Sequence, residues 1–208
     1  MRNCVPLVNR DEEAAVVKSA GGVGPTAPAK RADARRNEAA LLDAAAAAFV
    51  ALGVDAPVRD IAARAGVGVG TIYRHFPTRA DLVVAVYRHQ VEACALAGPA
   101  LLAESDTAYQ ALTQWVDLFV DFLVTKRGLA RALQSDAATF HTLHGWFLDR
   151  LLPVATQLLD ASRAAGEIRP DVEAYALMRG IGNLCVGAGE PGYDARRLVG
   201  VFVAGLRT

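Results

Sequence analysis

Three cysteines in 208 residues, Cys4, Cys94 and Cys185, lie far apart, and no C-x-x-C pair occurs. Their scarcity argues against a structural zinc site or a dithiol redox motif and leaves Cys94 and Cys185 as small apolar residues of a core. An excess of one charge is also missing: 22 Lys and Arg balance 22 Asp and Glu, so the chain as a whole does not attract a polyanion by bulk charge. No apolar run is long enough to span a bilayer, which gives an expectation of no membrane contact. No basic start followed by a continuous apolar stretch marks a signal peptide, so the expected location is the cytoplasm. A Gly-rich phosphate loop after a strand, a nucleophile elbow and a Cys/His pair at useful spacing are all lacking, so neither an enzyme nor a cofactor is expected. GVGVG at 66–70 looks like a nucleotide loop but follows a helix. His141 and His144 share a helix face, yet no third residue has a clear claim as a ligand, and no metal site is assigned.

What the chain does have is alanine and leucine at helical spacing, with just over half of its residues apolar. The stretch 57–76, PVRDIAARAGVGVGTIYRHF, organises the rest. Val58, Ile61, Ala62 and Ala65 recur three and four apart, after a Pro57 suited to the first helical position. Gly66 supplies the sharp turn that residues with a Cβ resist, and Val67 plugs the space behind it. A second short helix runs over about 68–76 and is stopped by Pro77. Two helices crossing steeply need a small residue at the contact, and Ala62 is placed for it. Ile61, Ala65, Val67 and Ile72 then fill the wedge. Val69, Gly70, Thr71, Tyr73, Arg74 and His75 are left on the outer face, a set suited to entry into a DNA major groove.

The run DIAARAGVGVGTIYRHFPTRADL resembles the DNA-binding segment of TetR-family transcriptional regulators, whose usual pattern is IA..AGVS.GT.Y.HF..K..L. Ile61, Ala62, Ala65, Gly66, Val67, Gly70, Thr71, Tyr73, His75, Phe76 and Leu82 match it. Gly68 stands where Ser commonly caps the second helix, so backbone N–H groups there lack a side-chain acceptor. Arg79 stands where Lys is common and keeps a charge for phosphate. The resemblance implies an all-α protein with an N-terminal three-helix DNA-binding head, joined to a helical ligand-binding and dimerisation body. It further implies a homodimeric repressor that binds a palindromic double-stranded DNA operator and is released by a small-molecule effector. A helical small-molecule-binding protein or enzyme without operator binding is the alternative, and a purely architectural DNA-binding protein would not need so large a body.

The expected divisions are a disordered tail over 1–30, rich in Gly and Pro, the DNA-binding domain over 31–77, and the body over 78–208. Residues 31–90 carry eight Lys and Arg against six Asp and Glu, and residues 91–208 carry ten against thirteen, an asymmetry that permits DNA binding at one end. The first helix is expected over 33–52, with Ala39, Leu42, Ala46 and Phe49 as its stripe. Arg35 and Arg36 in its first turn are either solvated charges or phosphate contacts. Arg59, Thr71, Tyr73, Arg74, His75 and Arg79 complete the expected contact set, with Tyr73 and His75 at positions where the family touches the DNA backbone. Val69 suits a thymine methyl and Arg74 a guanine edge, so these two are expected to specify sequence while the others position the protein. For His75, a partly buried ring bridging helix and body is the competing reading.

Thr78 and Asp81 have capping-box spacing and begin a linker helix expected to end at Gly98-Pro99. Helices follow over 107–126, stopped by Gly128, over 129–137, and over 139–165 with Pro153 inside. Trp115, Phe119, Phe122, Phe140, His144 and Phe147 are candidate ligand-binding residues, although aromatic stripes at this spacing also build plain cores. The last two helices, over 172–188 and 194–206, contain Gly180, Gly182, Gly187, Gly200 and Gly205, and glycine costs up to about 1 kcal/mol per helical site. Close approach of helices would offset that cost. Mainly on the family resemblance, Leu177, Ile181, Leu184, Val199 and Phe202 on the broad apolar surfaces of these helices are expected at a dimer interface, a four-helix bundle shared by two chains, with packing inside one chain as the alternative.

Overall fold

The computed structural model describes residues 27–132, 137–169, 171–188 and 190–208, with side chains described from residue 34 except those of 124–125, 127–132 and 137–140. Among these residues the chain forms α1 (Ala27–Leu52), α2 (Val58–Ala65), α3 (Val69–His75), α4 (Arg79–Glu104), α5 (Ala108–Ala132), α6 (Ala137–Ala164), α7 (Ala174–Leu184) and α8 (Ala195–Ala204). The architecture is all-α, with one isolated antiparallel bridge between Ile168 and Arg207. Most of the expected tail, residues 1–26, lies outside the described residues, and 27–30 already belong to α1. No described helix is long and apolar enough to cross a membrane.

The head is α1, α2 and α3. Leu41, Leu42, Ala45, Ala48 and Phe49 form the buried stripe of α1, whereas Ala39 and Ala46 are only half-buried. Pro57 is the N-cap of α2 rather than its first helical residue, and its carbonyl accepts from the Asp60 and Ile61 N–H groups. Gly66 ends α2 with φ of 66°, and the Val67 N–H reaches back to the Ala62 carbonyl at 3.0 Å. That backward bond across a left-handed residue is the Schellman closure that only glycine makes without strain. Ile61, Ala62 and Ile72 are buried between the two short helices, as the motif requires.

Thr78 caps α4 through the full reciprocal box: the Asp81 N–H donates to Thr78 Oγ1 at 3.1 Å, and the Thr78 N–H to Asp81 Oδ2 at 2.9 Å. Contrary to the sequence expectation, α4 does not stop at Gly98-Pro99 but continues to Glu104. The reason is tertiary. Gly98 is buried where α4 crosses α6, and a Cβ there would overlap the Val154 side chain. The glycine is needed for close approach, and packing outweighs the single hydrogen bond that Pro99 removes. Gly128 does not end α5, which runs on to Ala132, so residues 129–132 belong to α5 rather than to the separate helix expected over 129–137, and 133–136 lie outside the described residues.

The body core is built where α4, α5 and α6 meet. Trp115 is fully buried, donates from Nε1 to the Cys94 carbonyl at 2.9 Å and stacks on Phe119. Burial, and then Asp121, pushes the Cys94 thiol up to about 12, so it behaves as the small apolar residue expected. Tyr87 of α4 donates to the Leu143 carbonyl of α6 at 3.1 Å.

α7 and α8 are shorter than expected, and Gly187 and Gly205 lie beyond their ends. Three expected interface residues are corrected here: Leu177, Ile181 and Val199 are 0%, 0% and 3% exposed within one chain and so belong to its own core. The apolar faces of these helices turn inward on α5, α6 and each other. Gly180 does serve close approach, but inside the chain, where a Cβ would meet the Phe202 ring at 2.8 Å.

Candidate functional site

Two sites emerge, one on the surface of the head and one inside the body. On α3, Ile72 points inward and is 1% exposed, while Val69 and Tyr73 are 39% and 52% exposed. Gly70, Arg74 and His75 are exposed and Thr71 is half-buried, so the six expected outer-face residues lie together. His75 is exposed rather than wedged between helix and body, its ring 6.1 Å from that of Phe76. Gly68 caps α3 without a side-chain acceptor, as its departure from Ser implies. Arg59, in the first turn of α2, has a side chain 83% exposed, with Nε 3.4 Å from Asp60 Oδ1. Arg35 and Arg36 are exposed but sit more than two turns into α1, not in its first turn.

Arg79 departs from its expected role. Its Nε donates to the Val54 carbonyl at 3.0 Å and its Nη2 to the Ala56 carbonyl at 2.8 Å, with the guanidinium 5.0 Å from the Phe49 ring centroid. Burial lowers its pKa, partly offset by Asp55 and Tyr73. Its donors are directed at the α1–α2 loop, so Arg79 holds the head together instead of presenting a free fork to phosphate.

In the body, a cavity of about 280 Å³ opens between α5, α6 and α7. Of the expected ligand residues, Phe119, His144 and Phe147 line it. Trp115 and Phe122 do not; both are fully buried core, which corrects their assignment. Phe140 lies outside the described side chains. The other lining residues, among them Lys126, Met178 and Arg179, were not in the expected set. A signal for Lys126 existed, because it falls seven residues after Phe119 and so on the same stripe of α5. Its Nζ lies 4.1 Å from the Phe147 ring centroid, and burial, then Arg179, pushes its pKa down to about 8. Burial also lowers the His144 pKa, followed by Lys126, His141 and Arg179.

The cavity is joined to α4 by rings. Phe147 stands 5.4 Å from Phe122, and Phe122 stands 5.2 Å from Tyr87 of α4. Arg150 of α6 adds a bidentate pair with Glu92 of α4. On the other side, His89 of α4 meets Asp43 of α1 at 2.6 Å. No group of three or more potential metal ligands occurs among the described residues.

Comparison with known proteins agrees with this division. Residues 41–86 match the model for bacterial regulatory proteins of the tetR family. Residues 107–208 match the model for the C-terminal domain of SbtR-like transcriptional regulators. The TetR transcriptional regulator SCO0520 of Streptomyces coelicolor is 36% identical, with a TM-score of 0.68 over 81% of this chain and 97% of that one. A TetR regulatory protein of Mycobacterium vanbaalenii is 35% identical, with a TM-score of 0.62 over 86% and 99%. A transcriptional regulator of Saccharomonospora viridis, solved in complex with choline, shares the fold at 20% identity and a TM-score of 0.53 over 83% and 96%. No curated protein matches significantly.

Proposed function

Because the chain belongs to the TetR family of DNA-binding transcriptional regulators, we propose that it is a cytoplasmic repressor that binds a near-palindromic operator as a homodimer and is released by a small molecule entering the body cavity. The observation that carries the reading is the division of α3: Ile72 anchors the helix while Val69, Tyr73, Arg74 and His75 face outward together. Val69 and Arg74 read bases; Arg59, Thr71, Tyr73 and His75 position the helix on the backbone, with Gly70 allowing close approach. Arg35 and Arg36 add phosphate contacts from α1.

The dimer surface in this reading is the outer face of α7 and α8. On α8 Val201 is 65% exposed, Leu198 39% and Phe202 37%, and Leu184 at the end of α7 is half-buried. Gly200 has open space where a Cβ would go, which suits a second chain's close approach. Val201→Asp is expected to yield a monomer by analytical ultracentrifugation.

Release is a population shift: the effector binds a body conformation in which the two heads are wrongly spaced for DNA. Helix α4 carries the change, since Tyr87 and Glu92 tie it to α6 and His89 ties it to α1.

The test is fluorescence anisotropy with the DNA immediately upstream of the chain's own gene, across a salt series. Saturable, salt-sensitive binding to a short inverted repeat supports the reading. Weak binding equal for all sequences opposes it. Arg74→Ala is expected to cost about 1–3 kcal/mol and relax preference at one base pair, and uniform weakening would make it a phosphate contact. Tyr73→Ala is expected to lose operator affinity with unfolding stability within about 0.5 kcal/mol of the parent, because the side chain is exposed.

A further inference from the structure

Among the described residues, three arginines of the body pair with acids, and the two cations at the cavity do not. Arg150 meets Glu92, Arg163 meets Asp160, and Arg196 lies between Asp117 and Asp121. Among these residues, Lys126 and Arg179 have no ion pair and no Asp or Glu lines the cavity they share. Lys126 is half-buried over the Phe147 ring, and Arg179 stands at the exposed rim. Two like charges beside one apolar cavity repel each other, and a half-buried ammonium without a counter-ion is unfavourable where a methionine would pack as well. Around them the wall is Phe119, Leu123, Phe147, Leu148 and Met178. His144 adds a polar edge that burial and its cationic neighbours keep uncharged near neutral pH.

We infer that the cavity takes a small apolar carboxylic acid, its carboxylate held between Lys126 and Arg179 and its apolar body laid against Phe119 and Phe147. The volume is at the small end of ligand sites, which suits a single ring or a medium-length chain rather than a polycyclic molecule. A carboxylate supplies the missing countercharge and relieves the repulsion between the two cations, whereas a ligand cation adds to it. The inference rests on the reading of this cavity as the effector site.

Isothermal titration of the full chain with octanoate, octanol, phenylpropanoate and phenylpropanol, near neutral pH and without DNA, tests it. At least one acid should bind about tenfold or more tightly than its own alcohol, since the two share the apolar body and the acid alone makes charge-assisted contacts. Lys126→Met and Arg179→Met should each erase most of that preference while leaving alcohol binding intact, with thermal melts showing both variants folded. Acids that bind no better than alcohols, or not at all up to millimolar concentration, overturn the inference, as does a preference that survives in Lys126→Met. Operator anisotropy with the bound acid separates the two readings. Tight acid binding with unchanged operator affinity keeps the carboxylate site and removes the release mechanism. Release by the alcohols alone does the reverse.

Discussion

The head and the body use apolar packing in opposite ways. In the head, function is what the fold leaves outside: a seven-residue helix spends Ile72 on the core, and nearly everything else faces solvent. In the body, function is what the fold fails to fill. Trp115, Phe119, Phe122 and Phe147 are all 3% exposed or less, yet only Phe119 and Phe147 border the cavity. Burial therefore picks out the candidate residues of the head by exclusion and says nothing about those of the body. There the informative residue is the one that breaks the apolar stripe, Lys126.

The strongest way to break this contrast is Trp115→Ala. If Trp115 is core and not cavity wall, the change should cost about 3–5 kcal/mol of stability in denaturant unfolding. A small loss of stability with a large loss of ligand affinity would return Trp115 to the cavity. Arg79→Ala comes next and sharpens the head side. It removes the donors that hold the Val54 and Ala56 carbonyls and the stacking on Phe49. A loss of about 2 kcal/mol is expected, with the salt slope of operator binding unchanged. A slope reduced by about one, with stability intact, would make Arg79 a phosphate contact after all. Gly98→Ala is expected to cost about 1–3 kcal/mol by forcing α4 away from Val154, the reverse of the usual gain from replacing a helical glycine.

The head was legible because its signals are local. Gly66, the capping pair Thr78 and Asp81, and the three-and-four spacing around Ile61 each act within a few residues, and each has the predicted geometry. The misreadings come from contacts distant in sequence. Gly98-Pro99 reads as a stop only until α6 is packed against it. Leu177, Ile181 and Val199 carry the composition of an interface, but one apolar face cannot be assigned to a partner chain or to its own core from spacing alone. Arg79 looks like any basic residue beside a recognition helix. Only the fold shows that a loop 23 to 25 residues earlier supplies its acceptors.

The smallest expected effect bears most directly on the body cavity. Lys126 titrates at about 8 in the folded chain against an ordinary 10.5. Below about 8 it is protonated in both states, and the folded state bears the full cost of a partly buried charge. Between about 8 and 10.5 the unfolded chain holds this proton and the folded chain does not, so this group makes stability rise with pH. Lys126→Met removes the group from both states. The variant should be more stable than the parent by about 1 kcal/mol near neutral pH, a gain that shrinks as pH rises from about 8 to 10. Thermal melts of the two proteins at matched pH values read the difference directly. A gain that stays constant across this range would come from packing alone, and Lys126 would then not be the uncompensated charge that an anionic ligand is needed to neutralise.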